Sequence, residues 1–133
     1  MSWNGYIDTV IGYCAGSCDK VCLVGTDGSV YTSSENASHL PISASEASTI
    51  ARCITSGDFS PLQAGGVVVA GVKYQFLRGE ENLILGKKKD NGAITVLATK
   101  SLVIIAHTIE GKAQGTTNSG AGRIQEYFES SGY

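Results

Sequence analysis

Five short apolar segments follow one another between residues 66 and 108, and the short turns between them constrain the fold more than any other feature. They read GVVVAG, VKYQFLRG, NLILGKKK, AITVLAT and LVIIAHT. Connections of so few residues cannot contain a crossover helix, so the segments are expected to pair as antiparallel strands. The KDNG between the third and fourth segments predicts a turn, because Asn and Gly tolerate positive φ.

Helices are expected to cover both faces of this sheet, because VVVAG and LVIIA are apolar throughout rather than alternating. The chain offers three candidates: an N-terminal helix, a helix near residues 44–55 and a last helix near residues 117–131. The sequence therefore predicts an α+β fold built on one central antiparallel sheet. At 133 residues, the chain has the length of a single domain, residues 1–133.

Local signals place the first two helices and a hairpin. Ser2 is a candidate cap for the first helix, whose apolar face would carry Trp3, Tyr6, Ile7, Val10 and Ile11. Ser43 and Glu46 have the spacing of a capping box, followed by an apolar stripe at Ala47, Ile50, Ala51 and Ile54. Between them, KVCLVG and VYTSS flank TDGS, which predicts a tight turn of the type that joins hairpin strands.

Composition and charge narrow the class of protein. No apolar run is long enough to cross a membrane and no secretory signal is visible, so we expect a cytoplasmic protein. The net charge of −2 gives no reason to expect a nucleic-acid partner. Most of the basic residues lie in the second half of the chain, which indicates a basic face there that either meets an acidic partner or is simply solvated.

Residues with catalytic or metal-binding chemistry do not form a recognisable motif. There is no Gly-x-Ser-x-Gly elbow and no phosphate-binding glycine loop, and His107, at the end of an apolar strand, is expected to be structural. Cys14, Cys18, Cys22 and Cys53 lack the close pairing of a zinc site and are expected to be free thiols. We therefore predict a binding module that is not an enzyme and needs no metal or cofactor.

Large aromatic side chains gather at both ends of the chain, in SWNGYIDTVIGY and EYFESSGY. Chain ends usually fray, whereas large aromatics usually belong to a core. Either the two ends pack together as core, or they form an aromatic surface on which a ligand stacks.

Several segments together resemble profilins, the small proteins that bind actin monomers. They are SWNGYIDTVIG, LVGTDGSVYTSS, GVKYQFLRGEENLILGKKKDNGAITVLATKSLVII and EYFESSGY, in order along essentially the whole chain. The resemblance implies that the N- and C-terminal helices lie side by side on one sheet face, with the shorter helices on the other. It also implies a protein that binds monomeric actin, promotes exchange of its nucleotide and regulates its polymerisation.

The resemblance further implies a groove for proline-rich segments, such as those of filament elongation factors. Polyproline II is pre-extended, its rings can stack on aromatic faces, and indole and phenol groups can donate to its carbonyls. By position, the groove residues are Trp3, Tyr6, Tyr31, Tyr127 and Tyr133. Tyr31 replaces the tryptophan, and Tyr127 the histidine, of the common vertebrate pattern, so an altered affinity or preferred ligand is expected. Phe128 is a groove wall or a core residue.

The implied actin surface lies on the strands from residue 73 onward and on the start of the last helix. Its residues by position are Lys73, Gln75, Phe76, Arg78, Lys88, Gly115 and Asn118. Strand alternation puts Lys73 and Gln75 on one face and Phe76 and Arg78 on the other, so one sheet face presents all four only if the strand is distorted.

A phosphoinositide site is also implied, formed by Lys87, Lys88, Lys89 and Arg123, and with it a place at the cytoskeleton and cell cortex. One variant of this interpretation is a profilin that keeps the fold and proline binding but has largely lost actin binding, and two alternatives to it remain at this point. One is a small α/β scaffold or dimerisation module of the roadblock or sensor type, in which Trp3 and Tyr133 are buried. The other is a redox or metal-linked role for Cys14, Cys18 and Cys22.

Overall fold

The computed structural model describes residues 3–133, so the proposed cap Ser2 lies outside the described residues. The helices are α1 (Gly5–Tyr13), α2 (Ala44–Ser56), α3 (Ser60–Gly65) and α4 (Gln114–Ser130). The strands are β1 (Cys18–Gly25), β2 (Val67–Val69), β3 (Val72–Glu80), β4 (Leu83–Lys88), β5 (Gly92–Ala98) and β6 (Leu102–Thr108). None of these helices has the length and apolar character needed to cross a membrane.

The six strands form one antiparallel sheet in the order β1-β6-β5-β4-β3-β2. From β2 to β6 each strand pairs with the next one along the chain, as the short connections predict. β1 joins the far edge by pairing with β6. The prediction of a single antiparallel sheet is confirmed.

Each face of the sheet carries its own hydrophobic core. Ile50 of α2 and Leu62 of α3 pack with Ile84, Ile94 and Ile105 of the strands on one face. On the other face, the core is formed by α1, α4 and the opposite side of the same strands, at Ile7, Val10, Leu23, Ile104 and Phe128. All seven residues of β5 are buried, which explains why its sequence does not alternate. The predicted α+β arrangement, with terminal helices on one face and shorter helices on the other, is confirmed.

The predicted capping box at the start of α2 is present. Ser43 Oγ accepts a hydrogen bond from the Glu46 N–H at 3.1 Å, and the Ser43 N–H donates to Glu46 Oε1 at 2.9 Å. The same carboxylate also accepts from the Ala70 and Gly71 N–H groups in the turn between β2 and β3, each at 2.9 Å. Glu46 therefore fastens the start of α2 to the sheet edge as well as capping the helix.

Three local features of the structure differ from what the sequence predicts. Helix α3 was not predicted, because a helix of six residues is too short to show an apolar stripe. VYTSS does not form a strand. Val30 makes one isolated bridge to Val24, and the Leu23 N–H donates its hydrogen bond to Thr32 Oγ1 rather than to a strand partner. The predicted turn at KDNG is present, but its positive φ values occur at Asp90 and Gly92 rather than at Asn91.

Helices α1 and α4 approach very closely where α4 carries a glycine. A Cβ atom at Gly120 would lie 2.6 Å from Cys14 Sγ and 2.8 Å from the Tyr13 carbonyl oxygen. Near the other ends of the helices, Tyr6 of α1 contacts Tyr127 of α4. The two helices are therefore antiparallel neighbours, and this brings the two chain termini together.

Candidate functional site

The aromatic residues at the two ends of the chain form one continuous cluster. The indole of Trp3 stacks on Tyr31 with centroids 5.7 Å apart and lies 5.6 Å from the ring of Tyr6. It also meets Tyr133 edge to face at 5.4 Å. Tyr6 in turn lies 6.2 Å from Tyr127, so the structure brings all five predicted groove residues together. We call this surface the aromatic groove.

Exposure distinguishes the walls of the aromatic groove from its floor. Tyr31, Tyr127 and Tyr133 remain 39%, 50% and 43% exposed, while Phe128 beneath them is fully buried. Phe128 contacts Trp3 and Tyr6 edge to face, so it is the floor that supports the outer rings. The termini are therefore an open aromatic surface rather than core, contrary to the scaffold alternative.

The N-terminal side of the groove is held by Asn4. Its side chain accepts from the Ser33 N–H at 2.8 Å and donates to Ser33 Oγ at 3.1 Å. The backbone carbonyl oxygen of Asn4 accepts a hydrogen bond from the Asn36 side-chain amide at 3.0 Å. These bonds join the start of α1, next to Trp3, to the loop that carries Tyr31. No sequence pattern reveals this contact, because its partners lie far apart in the chain.

The C-terminal side is held by the turn between β5 and β6. The Tyr133 carbonyl oxygen accepts from Ser101 Oγ at 2.6 Å, from Thr99 Oγ1 at 2.8 Å and from the Ser101 N–H at 3.0 Å. The Tyr133 N–H donates to the Phe128 carbonyl at 2.9 Å. These four bonds fix Tyr133 against the β5–β6 turn and the end of α4.

Two tyrosines have constrained phenol groups. A Cβ atom at Gly25 would lie 2.5 Å from Tyr31 Oη, so the Tyr31 phenol rests directly on that glycine. A hydrogen bond with the Tyr127 phenol, with smaller contributions from desolvation, raises the pKa of Tyr6. Stacking faces and phenol hydroxyl groups together suit an extended ligand with flat rings and free carbonyls.

A bulge in β3 decides which of the predicted actin residues share a face of the sheet. Gln75 pairs with Lys87 and Phe76 with Gly86, but Arg78 pairs with Leu85, leaving Leu77 as the extra residue. The bulge returns Arg78 to the sheet face of Gln75 and Lys73. Phe76 points to the other face, where it packs against the α2–α3 core and stacks on Phe59 at 5.9 Å.

The remaining predicted actin residues lie at the start of α4 and the end of β4. Gly115 is exposed in the first turn of α4, and Asn118 accepts a hydrogen bond from Thr95. Gln114, which was not predicted, donates to the Ile94 carbonyl at 3.0 Å and fixes the start of α4 on the sheet. Alternation along β4 puts Lys87 on the face of Gln75 and Lys88 on the opposite face.

The four residues of the predicted phosphoinositide site do not form one cluster. Lys87, Lys88 and Lys89 are exposed at the end of β4 and the turn that follows. Arg123 instead lies over the Tyr13 ring, 4.0 Å from its centroid, on the flank of α4 that faces α1. Gln114 and Asn118 of α4 instead make their hydrogen bonds to β5.

His107 and the four cysteines have contacts typical of residues that stabilise the fold. His107 Nδ1 is 2.6 Å from Asp19 Oδ1, and its Nε2 is 2.7 Å from the Asn91 carbonyl oxygen, so both ring nitrogens are used. All four cysteines are free and buried, and burial raises the pKa of Cys22 and Cys53. Across residues 3–133, no three His, Cys, Asp or Glu side chains are arranged to hold a metal ion.

Comparison with known proteins decides the family. The profilin family model matches residues 1–133. A profilin of Clypeaster japonicus is 45% identical and one of Heliocidaris crassispina 43% identical, with 99% of each chain covered in both cases. The chain belongs to the profilin family. Profilins are not enzymes, so this membership also confirms the prediction of a non-enzymatic protein.

Solved profilin structures share the fold. The profilin of Schizosaccharomyces pombe is 28% identical, with a TM-score of 0.84 over 99% of this chain and all of that one. Two more distant structures contain ligands: mouse profilin IIa in complex with a double repeat from the FH1 domain of mDia1, and LokiProfilin2 in complex with rabbit actin. At 19% and 17% identity, with TM-scores of 0.74 and 0.68, they match this profilin in fold. The first alignment covers both chains completely, and the second covers 95% of this chain and 98% of that one.

Proposed function

We propose that this profilin is an adaptor that binds monomeric actin on one surface and proline-rich segments in the aromatic groove. The observation that carries the proposal is the groove itself: four exposed or half-exposed rings around Trp3, over a buried Phe128, with both termini anchored. An extended proline-rich segment loses little conformational entropy on binding and offers flat rings and free carbonyls to these side chains. A distant profilin with this fold is in complex with an FH1 repeat.

The groove is tested by titrating the protein with poly-L-proline while following tryptophan fluorescence. Trp3 is the only tryptophan, so its signal reports on the groove alone. We expect a saturable change that Tyr133→Ala abolishes and that Leu77→Ala, an exposed apolar residue outside the groove, leaves intact. The absence of a saturable fluorescence change when the unmodified protein is titrated with poly-L-proline would contradict the proposal.

The actin surface is proposed to be the sheet face that carries Lys73, Gln75 and Arg78, together with the start of α4 at Gly115 and Asn118. The bulge at Leu77 supports it, because it places the three β3 side chains on one face beside Lys87. A distant profilin of the same fold is in complex with actin. Phe76 and Lys88 are proposed to contribute less, since alternation turns both toward the opposite face.

Matched charge reversals test this surface. Arg78→Glu and Lys87→Glu are expected to weaken binding to monomeric actin by at least tenfold, and Lys88→Glu by clearly less. Arg52→Glu, an exposed cation of α2 on the opposite side of the sheet, serves as the control. The measurements are affinity for labelled actin monomers and the rate of actin nucleotide exchange. An equal loss in Lys87→Glu and Lys88→Glu would contradict the assignment of faces.

Phosphoinositide binding is proposed for Lys87, Lys88 and Lys89, whose exposed ammonium groups are close together in the chain. Such binding would be electrostatic and would weaken with salt. It would bring the protein to the cell cortex, and because Lys87 also faces the actin surface, lipid and actin would compete. Co-sedimentation with vesicles containing phosphatidylinositol bisphosphate tests this, with the triple Lys→Gln variant expected to lose binding and Lys112→Gln to keep it.

A further inference from the structure

A second aromatic contact continues the groove along the seam between α1 and α4. Tyr13, at the end of α1, is 39% exposed, and the guanidinium carbon of Arg123 lies over it, 4.0 Å from the ring centroid. The ring supports the long side chain and limits its rotamers, so its charge is held at one place on the surface. Neither residue belongs to the aromatic groove defined above.

The helix geometry puts this contact in line with the groove. Tyr6 and Tyr13 are seven residues apart on α1, and Arg123 and Tyr127 are four apart on α4, so each pair shares a helix face. The helices are antiparallel, with Tyr6 against Tyr127 and Tyr13 beside Gly120. At 1.5 Å per residue, the Tyr13–Arg123 contact lies roughly 10 Å beyond the Tyr6–Tyr127 contact along α1.

The charge of Arg123 is not matched by the protein. Within residues 3–133 the two ion pairs are Arg78 with Glu80 and His107 with Asp19, and neither involves Arg123. Glu126 is exposed one turn further along α4 but makes no ion pair with it. A guanidinium stacked on an aromatic ring keeps its edge donors available, and these suit a carboxylate.

We propose that Arg123, supported by Tyr13, binds the carboxylate of an acidic residue that flanks the proline-rich segment in the aromatic groove. Polyproline II rises by 3.1 Å per residue, so this acidic residue lies about three positions beyond the proline seated at Tyr6 and Tyr127. The inference rests on the proposed function, because the groove must hold the proline run. It gives the groove a preference among proline-rich ligands according to the charge of one flank.

The acidic residues near Arg123 limit what this site accepts. Glu126 and Glu129 are exposed on the same helix and repel a ligand with many carboxylates. One acidic side chain at the stated spacing therefore binds better than an extended acidic tract. The interaction has a defined position, which separates it from general attraction between charged surfaces.

The test uses a proline run and two pairs of derivatives, followed by Trp3 fluorescence at low ionic strength. One pair carries Glu or Gln about three residues beyond the N-terminal end of the run, and the other carries them beyond its C-terminal end. For one of the two ends, we expect Glu to bind about two- to fivefold more tightly than Gln, the range of an exposed ion pair. Arg123→Gln is expected to reduce this ratio to one, whereas Lys112→Gln is expected to preserve it.

The outcomes distinguish a failure of the Arg123 inference from a failure of the proposed proline binding in the aromatic groove. If the plain proline run binds but Glu and Gln derivatives bind equally at both ends, the inference is wrong and the groove stands. A Glu preference that survives in Arg123→Gln, or that is equal at both ends, also overturns it, since another charge is then responsible. If the plain run fails to bind at all, the groove and the inference are both overturned.

Discussion

The indole of Trp3 and the ring of Tyr133 meet edge to face with centroids 5.4 Å apart, although they come from opposite ends of the chain. A surface built from both termini depends on how firmly each is held. Asn4 holds the first and the Thr99–Ser101 turn holds the second. Ligand affinity in the groove should therefore respond to changes in these anchors, which are not themselves part of the aromatic surface.

Thr99→Val tests the C-terminal anchor. The hydroxyl donates to the Tyr133 carbonyl and accepts from the Leu102 N–H at 3.0 Å, and valine keeps the shape while removing both bonds. We expect a loss of about 1–2 kcal/mol in the free energy of unfolding, and weaker poly-L-proline binding because Tyr133 is less well positioned. Chemical denaturation and the Trp3 titration measure the two effects. Unchanged proline affinity with faster amide exchange at Tyr133 would show that the anchor is not needed for binding.

Gly120→Ala tests the close approach of α1 and α4. Alanine is the better helix former by about 1 kcal/mol, but its Cβ would collide with the Tyr13 backbone, which cannot move aside as a side chain tip could. Overpacking of this kind costs about 1–3 kcal/mol, so we expect net destabilisation and a displaced α1.

Gly122→Ala is the matched control for the same helix. A Cβ atom at Gly122 would meet nothing within 4 Å, so only the gain in helix propensity remains and the variant should be more stable than the parent. Thermal unfolding of the two variants gives the comparison. Stabilisation by both substitutions would mean that α1 adjusts to Gly120→Ala at little cost.

The elements and their order were predictable because each has a local signal, whereas the contacts that complete the site were not. The apolar runs predicted the strands, and Ser43 with Glu46 predicted the start of α2. The bulge at Leu77 has no such signal, since it arises from how β3 pairs with β4, and alternation alone assigned Arg78 to the wrong face. The contacts of Asn4 with Ser33 and of Tyr133 with Ser101 join distant residues, so only the folded chain reveals them.

The stability of the protein should fall in acid because of Glu46. Partial desolvation opposes ionisation of this carboxyl, but hydrogen bonds from the Ser43, Gly71 and Ala70 N–H groups outweigh it and lower the pKa of Glu46 below its ordinary value of 4.5. A lowered pKa in the folded state stabilises the protein above pH 4.5, and the contribution is lost as pH falls through the folded value.

Glu46→Gln separates this contribution from the other carboxylates. At neutral pH we expect a loss of about 1–2 kcal/mol, because the neutral amide has one acceptor oxygen for the donors of two elements. As the pH drops below the ordinary Glu value, the difference in unfolding free energy between parent and variant should shrink. Urea denaturation at several pH values measures this difference in unfolding free energy. If the difference does not depend on pH, groups other than Glu46 cause the acid sensitivity.

Gly25→Ala is expected to impair the groove without unfolding the protein. The new Cβ would lie 2.5 Å from Tyr31 Oη and 2.6 Å from Asp27 Oδ1, and both are the ends of side chains that can rotate away. The cost to stability should therefore be small, but Tyr31 would lose its stacked position against Trp3. Because the proposed role of the Tyr31 ring is to stack on the proline-rich ligand, Gly25→Ala should weaken poly-L-proline binding about as much as Tyr31→Ala, measured by Trp3 fluorescence. If Gly25→Ala binds like the parent while Tyr31→Ala does not, the Tyr31 ring does not need its contact with Gly25 to take part in the groove.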